Sequence, residues 1–385
     1  MKEKKITAYK GFDKNLCCRG FQYEIGKEYE HEGEIECCSK GFHACTNPFD
    51  VLDYYSSISN NRNRYCEVEQ SGIIKKDKND SKSASSKIKI KKEIGLIGLF
   101  KEGVKWIKEN IDPKSIIKEI KERKKDLPDN PNLIISNRHR SLISSQSNYA
   151  KIGSGGDHSK ISTSGYAAKI GTIGYFTKIG SSGKHTKIGS SGNYSRIGTS
   201  GNYTCINLSG FYTRIGTSGD FTTIGSSGNF SKISSSGNHT KIGSVGNCIR
   251  IGSSGERTLI GASGSFAQIS ASGNGTIIDT NGNYARISLS GNNAKINLNG
   301  ALAKISSSGD YINIDSTGKY SVICCAGQNS MAKAKIGSWI TLSEWKYSKE
   351  EGCNIPVCVK TEYVDGEHIK EDTWYKLIDG EFKEQ

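Results

Sequence analysis

Proline and methionine are scarce, with five and two residues in a chain of 385. No stretch approaches 18 consecutive apolar residues, which excludes a membrane-spanning helix. The basic start Met1-Lys-Glu-Lys-Lys-Ile is not followed by an apolar segment, so no secretory signal is expected. Hydrophobic residues reach only 34%, too few for a large conventional core. Ile, Tyr and Phe are nevertheless plentiful enough to set the chain apart from disordered ones. None of the 12 cysteines forms a C-x-x-C; the adjacent pairs Cys17-Cys18, Cys37-Cys38 and Cys324-Cys325 suit a reducing compartment. Cys37, Cys38, His43 and Cys45 are soft ligands, but their spacing is not that of a zinc finger or ribbon. No metal and no cofactor is therefore expected.

Glycine is abundant, at 45 residues, and it is periodic. Residues 142–330 divide without insertion into 21 units of nine, such as Lys187-Ile-Gly-Ser-Ser-Gly-Asn-Tyr-Ser195. Position two is Ile in all 21 units, position six is Gly in 20, and position nine is Ala, Ser or Thr in 19. A helix is excluded, because each glycine costs about 1 kcal/mol relative to alanine. The pattern predicts a short strand and then a Ser-Ser-Gly-Asn turn, with the position-six glycine supplying the positive φ. Units this small cannot bury an apolar face alone, so they must stack into a parallel β-solenoid. Two units, or about 18 residues, per coil suit a flat two-sheeted rod; three per coil is the alternative. The calcium-binding nonapeptide of β-rolls has the same length, but its ligating Asp is missing here, which excludes calcium.

Strand alternation turns position two and position nine inward and leaves positions eight, one and three facing solvent. Position one is Lys or Arg in 13 units and never an acid. Lys151, Lys160, Lys169, Lys178, Lys187, Arg196, Arg214, Lys232, Lys241 and Arg250 are the candidate anion-binding residues. Position eight supplies Phe176, Tyr194, Tyr203, Tyr212, Phe221 and Phe230 as candidate stacking residues. Like charges repeated at about 4.8 Å repel by nearly 1 kcal/mol per pair in water. A face shaped by solubility alone would mix the signs, whereas phosphate neutralisation beside ring stacking is what a polyanion groove needs. Cation and ring ladders that stabilise stacked strands are the alternative reading.

The net charge of +14 is uneven: residues 1–72 and 331–385 are slightly acidic, whereas 73–141 and 142–330 are strongly basic. Residues 73–141 read as a Lys/Ser-rich mobile run from Ile73 to Lys92, then a basic amphipathic helix ending before Pro113. A second helix, Ile116 to Lys125, is capped by Ser115. These helices are expected to cover the open edge of the first coil. Residues 331–385 break the nine-residue register with Trp339, Trp345 and Trp374, and read as a β cap, with a hairpin turn at Val364-Asp-Gly-Glu367.

Residues 1–72 read as a small α+β domain, with strands at Ile6–Phe12, Gly41–Ala44 and Arg64–Glu69 and a helix start at Thr46-Asn47-Pro48. The motifs Tyr9-Lys10-Gly11, Gly41-Phe42-His43, Tyr54-Tyr55 and Glu67-Val68 follow the order of those in ADP-ribosyltransferases, which this segment resembles. The resemblance implies an NAD pocket with Lys10, His43 and Tyr54 as candidate catalytic residues. Lys10 stands where that family has His or Arg, and no late Glu motif follows. As a whole, the repeat and the tail Asp372-Thr-Trp-Tyr-Lys-Leu377 resemble those of uncharacterised phage and prophage proteins. The leading expectation is a non-enzymatic binding or scaffold protein in a bacterial cytoplasm. Its solenoid offers a basic-aromatic face to nucleic acid or an acidic protein, for instance as a phage-encoded inhibitor of a host defence complex. An ADP-ribosyltransferase-like enzyme with a targeting arm, and a homo-oligomeric virion or fibre component, are the alternatives.

Overall fold

The computed structural model describes residues 5–55, 63–77, 81–127 and 129–385. The chain forms two compact units, Met1–Trp106 and Ile107–Gln385. Among the described residues, no helix is long and apolar enough to cross a membrane.

In the first unit the strands are β1 (Ile6–Phe12), β2 (Cys17–Cys18), β3 (Phe21–Gln22), β4 (Glu28–Glu30), β5 (Phe42–Cys45), β6 (Arg64–Lys76) and β7 (Lys82–Glu93). Five of them form an antiparallel sheet in the order β4-β7-β5-β1-β6, and a further pairing of β6 with β7 closes it on itself. Asn47 caps a short 3-10 turn at Pro48–Asp50, which leads into α1 (Val51–Tyr54). The described parts of the Lys/Ser-rich run are thus ordered as strands, the end of β6 and nearly all of β7; residues 78–80 lie outside the described residues, and residue 72 falls inside a strand. Ser83, Ala84, Ser85, Ile88 and Ile90 are buried, and Ser83 Oγ donates to Gln70 Oε1 at 2.6 Å. Lysines on the same strand turn outward, Lys87 to Glu30 and Lys91 to Glu67. Small inward serines let the sheet close, a packing use that composition alone hides.

Helix α2 spans Gly95–Asn110, and α3 spans Pro113–Asp126. The cap of α3 is Asp112, whose carboxylate accepts the Ser115 N–H at 2.8 Å, so Ser115 is the capped residue and not the cap.

The second unit is a parallel β-solenoid of about 12 turns, from residue 133 to 342, with equivalent positions about 18 residues apart. It starts one strand before the repeat, at Leu133–Ser136, and continues past it through Met331–Lys333 and Trp339–Ser348. Alternate units build two opposed sheets. One contains Lys151, Lys169 and Lys187, each in register with the next; the other contains Lys160, Lys178 and Arg196. Every position-two isoleucine is buried, and position nine is buried beside it, as strand alternation requires. Position-nine hydroxyls are satisfied inside the turn: Thr177 Oγ1 donates to Gly174 O and Ser195 Oγ to Gly192 O, both at 2.7 Å.

The turn chemistry differs from expectation in one respect. Positive φ occurs at position eight, not six: Phe176, Tyr194, Tyr212 and Phe230 have φ of 55–59°. In these non-glycine residues the left-handed conformation costs about 1–2 kcal/mol each. Two contacts offset it: the position-eight N–H donates to a carbonyl in the next coil (Tyr194 to Phe211, 2.9 Å), and each ring stacks on the ring 18 residues away. Position six is glycine because the coils touch there: a Cβ on Gly192 would lie 1.9 Å from Gly174 O. The Asn of position seven accepts the N–H of the same position one coil on, as in Phe211 to Asn193 Oδ1 at 2.8 Å.

Both ends of the linker-and-cap scheme are modified. Helix α3 does not cover the edge of the first coil. It lies across the face of the first sheet, where Ile117 and Ile120 sit on Gly153 and Ile116 on Gly171. We call that sheet covered and its opposite open. At the C-terminus, Cys353–Tyr363 pairs antiparallel with Trp339–Ser348, while Tyr375–Ile378 and Glu381–Glu384 finish the covered sheet. The tight hairpin turn is Asp379-Gly380, both with positive φ. The segment at Val364–Glu367 is instead a loop, closed by the Asp365 carboxylate accepting three backbone N–H groups.

Candidate anion-binding face

The period of 18 sorts the cations. On the open sheet Lys160, Lys178, Arg196, Arg214, Lys232 and Arg250 stand in unbroken register, one per strand. After Gln268, the file resumes with Arg286 and Lys304. All eight are exposed, and none forms an ion pair among the described residues. Position three of this sheet holds only Ser, Gly or, at Cys324, a thiol, so no carboxylate flanks the file on that side; on the ring side Asp157 stands at its head, 3.5 Å from His139. Arg286 and Lys304 were not among the candidates; counting every second unit, not every unit, is the signal that finds them.

The remaining candidates, Lys151, Lys169, Lys187 and Lys241, belong to the covered sheet, where the file is broken by Cys205, Thr223, Leu259 and Ile277. Lys151 is paired with Glu119 of α3 at 2.6 Å, and this hydrogen bond draws the carboxyl of Glu119 below its usual range. Lys169 is half-buried, and burial lowers its pKa despite Glu119 nearby. Acids also occupy outward positions of this sheet at Asp279 and Asp315, the latter 3.0 Å from Lys333. The one-sign surface is therefore a property of the open sheet alone.

The rings divide in the same way. Phe176, Tyr194, Tyr212 and Phe230 form one ladder, headed by His158, with centroids 4.8–5.3 Å apart and interplanar angles of 5–9°. Tyr203 and Phe221 belong to a second ladder, with His185 and His239, at the opposite edge. A position-eight ring precedes the next position-one residue by two, so both project to the same side. Along the first ladder that next residue is Lys178, Arg196, Arg214 or Lys232. These cations and the rings line one groove of about 410 Å³. Along the second ladder, Tyr203 and Phe221 precede the uncharged Cys205 and Thr223.

Ring spacing decides what the ladder offers a ligand. Each inner ring is covered on both faces by its neighbours, and their separation is fixed by the coil rise, so no base can enter between them. The ladder presents ring edges, whose positive rim attracts anions, and the stacking role expected for these residues is filled within the protein for five of the six; Phe230, followed one coil on by Cys248, has a ring neighbour on one face only. Electrostatic attraction along the file remains.

In the first unit, Lys10, His43 and Tyr54 line one pocket of about 490 Å³, joined by Cys18, Arg19, Tyr55 and Lys82. Lys10 is buried and donates to the His43 carbonyl at 2.8 Å; burial lowers its pKa. The Tyr55 hydroxyl donates to Cys18 Sγ at 2.8 Å. The Nε2 atom of His43 is buried with no hydrogen-bond partner among the described residues, and burial, then the nearby Lys10 charge, lowers the pKa of the imidazole. Among the described residues, not one Asp or Glu lines this pocket. Among the described residues, no three His, Cys, Asp or Glu side chains gather at metal-binding distance.

Residues 6–102 match a family model described as a domain of unknown function (DUF7666). No curated protein and no solved structure matches the chain. The matched segment thus corresponds to the closed sheet and its first helices, and the solenoid lies outside it.

Proposed function

We propose that this protein is a binding module that holds an anionic macromolecule along the open sheet of its solenoid, without catalysing a reaction there. The observation that carries this reading is the file from Lys160 to Arg250: six cations at successive strands with no carboxylate among them. Holding that file together costs repulsion of nearly 1 kcal/mol per neighbouring pair before screening, and a bound polyanion relieves it. Neutralising Lys178, Arg196, Arg214 and Lys232 together to alanine is expected to weaken binding of a single-stranded oligonucleotide or polyglutamate by about 100-fold at low salt. It should also flatten the plot of log affinity against log salt by roughly three units for the oligonucleotide. Fluorescence anisotropy across a salt series measures both. Unchanged affinity and slope in the quadruple variant would exclude the open sheet as the binding face.

A second reading is favoured by the convergence of Lys10, His43 and Tyr54 on one pocket: an ADP-ribosyltransferase-like activity of the first unit, with the solenoid as its targeting arm. Labelled NAD incubated with the protein and cell lysate is then expected to leave label on a protein, and Lys10→Met to abolish the transfer. A folded wild-type protein that transfers no label removes this reading.

A further inference from the structure

The two faces of the solenoid are built alike, and the chain itself shows what fits one of them. On the covered sheet the small residues of position three make a track along the rod. The Ile107 side chain sits on Gly225, the Ile111 carbonyl and Pro113 on Gly189, Ile116 on Gly171, and Ile117 with Ile120 on Gly153. The Asn207 side chain, in the same track, donates to the Ile111 carbonyl at 3.3 Å. One helical turn rises about 5.4 Å and one coil about 4.8 Å, so side chains one turn apart on α3, Ile116 and Ile120, reach successive coils at Gly171 and Gly153. Beside the track, Glu119 of the same helix lies on the cation file at Lys151. Apolar knobs on small residues and a carboxylate on the lysines are thus the two contacts that seat a helix on this sheet.

The open sheet repeats both elements and has neither filled. Its track runs through Gly180, Gly198, Gly216, Ser234 and Gly252, and a Cβ added at Gly198, Gly216 or Gly252 meets nothing within 4 Å. The flanking file is longer and more regular than that of the covered sheet. We propose that the open sheet docks an acidic amphipathic α-helix of a partner protein, in the manner in which the linker helices dock on the covered sheet. This inference rests on the anion-binding reading above and names its partner. Five coil steps from Lys160 to Arg250 span about 24 Å, which corresponds to about 16 helical residues. Ile, Leu or Val on one stripe fill the track, and Glu or Asp along one flank meet the file. A second copy's α3 is excluded by charge: its six cations against three acids would face like charges. The covered ring faces of the ladder disfavour a nucleic acid.

The test uses the full chain and three labelled probes in fluorescence anisotropy. One is a 20-residue peptide with Ile along a single helical stripe and Glu flanking it; the second is its scramble of identical composition; the third is a single-stranded oligonucleotide of matching charge. The patterned peptide is expected to bind about tenfold or more tightly than the scramble. Gly198→Leu/Gly216→Leu, which fills the track, should cost the patterned peptide about tenfold and leave the oligonucleotide within about twofold. Should the double variant fail to fold by circular dichroism, Ser234→Leu alone fills the same track and is read in the same way. Equal binding of patterned and scrambled peptides, both salt-sensitive, overturns helix docking and leaves the anion-binding face standing. No binding of any probe overturns both. Tighter binding of the oligonucleotide, unaffected by the leucines, makes nucleic acid the occupant and overturns the helix.

Discussion

Replacing Gly228 by alanine is expected to destabilise the solenoid by about 3 kcal/mol or more, whereas Gly198→Ala changes it by about 0.5 kcal/mol at most. Both are repeat glycines, and neither has a positive φ, so backbone freedom does not separate them. Distance does. A Cβ on Gly228 would stand 1.9 Å from Gly210 O, a backbone atom fixed by the coil beneath. Relief requires the two coils to separate, which strains the bond donated by the Tyr212 N–H to the Asn229 carbonyl at 3.1 Å and the Tyr212–Phe230 ring stack. At Gly198 the new methyl points into solvent on the open sheet, and the lower entropy of the unfolded chain favours the variant slightly. Urea midpoints of the two variants decide the matter. Equal midpoints would show that the close approach at Gly228 is not what excludes a side chain there.

Removing residues 331–385 is expected to convert the protein into one that associates end to end. The cap ends both sheets with antiparallel strands whose outer edges carry charge, among them Lys360 and Glu362 on one sheet and Glu381, Lys383 and Glu384 on the other. Lys360 bridges the two through Glu362 at 3.1 Å and Glu381 at 2.9 Å. Without the cap, the backbone edges at Asn313–Ser316 and Val322–Cys325 and the core residues Ile314, Ile323 and Cys325 face solvent. Such an edge templates another strand. Mean mass by light scattering should rise about twofold or more with concentration in the truncated protein, and stay flat in the intact chain. Identical, concentration-independent masses would mean that the cap has no protective role.

The architecture of the rod was legible because one residue type recurs at a fixed interval. Twenty-one isoleucines at position two leave only a stacked parallel arrangement to bury them. Strands β1, β5 and β6 and the 3-10 turn capped by Asn47 were also readable from local pattern. The closing strand β7 was not, because Ser83 and Ser85 resemble linker residues until they face each other across a small closed sheet. The site was half legible. Position one announced the cations, but a list of thirteen conceals that residues nine apart lie on opposite faces. The role of the position-eight rings was hidden for a related reason: a left-handed Tyr or Phe is unexpected until the ring beneath it is known. Nor does a linear reading reveal that α3 lies along a face and not over an end, since both placements bury the same isoleucines.

The two-unit coil also governs how such a rod lengthens. Adding one nine-residue segment would carry every downstream side chain to the other side of the molecule, splitting the charged row and handing half of it to the helix-bearing surface. Adding two segments leaves each row intact and only extends it. Heritable growth compatible with a working surface therefore proceeds in eighteens, and the length of the uninterrupted row becomes a quantity that duplication can tune without altering a single contact residue.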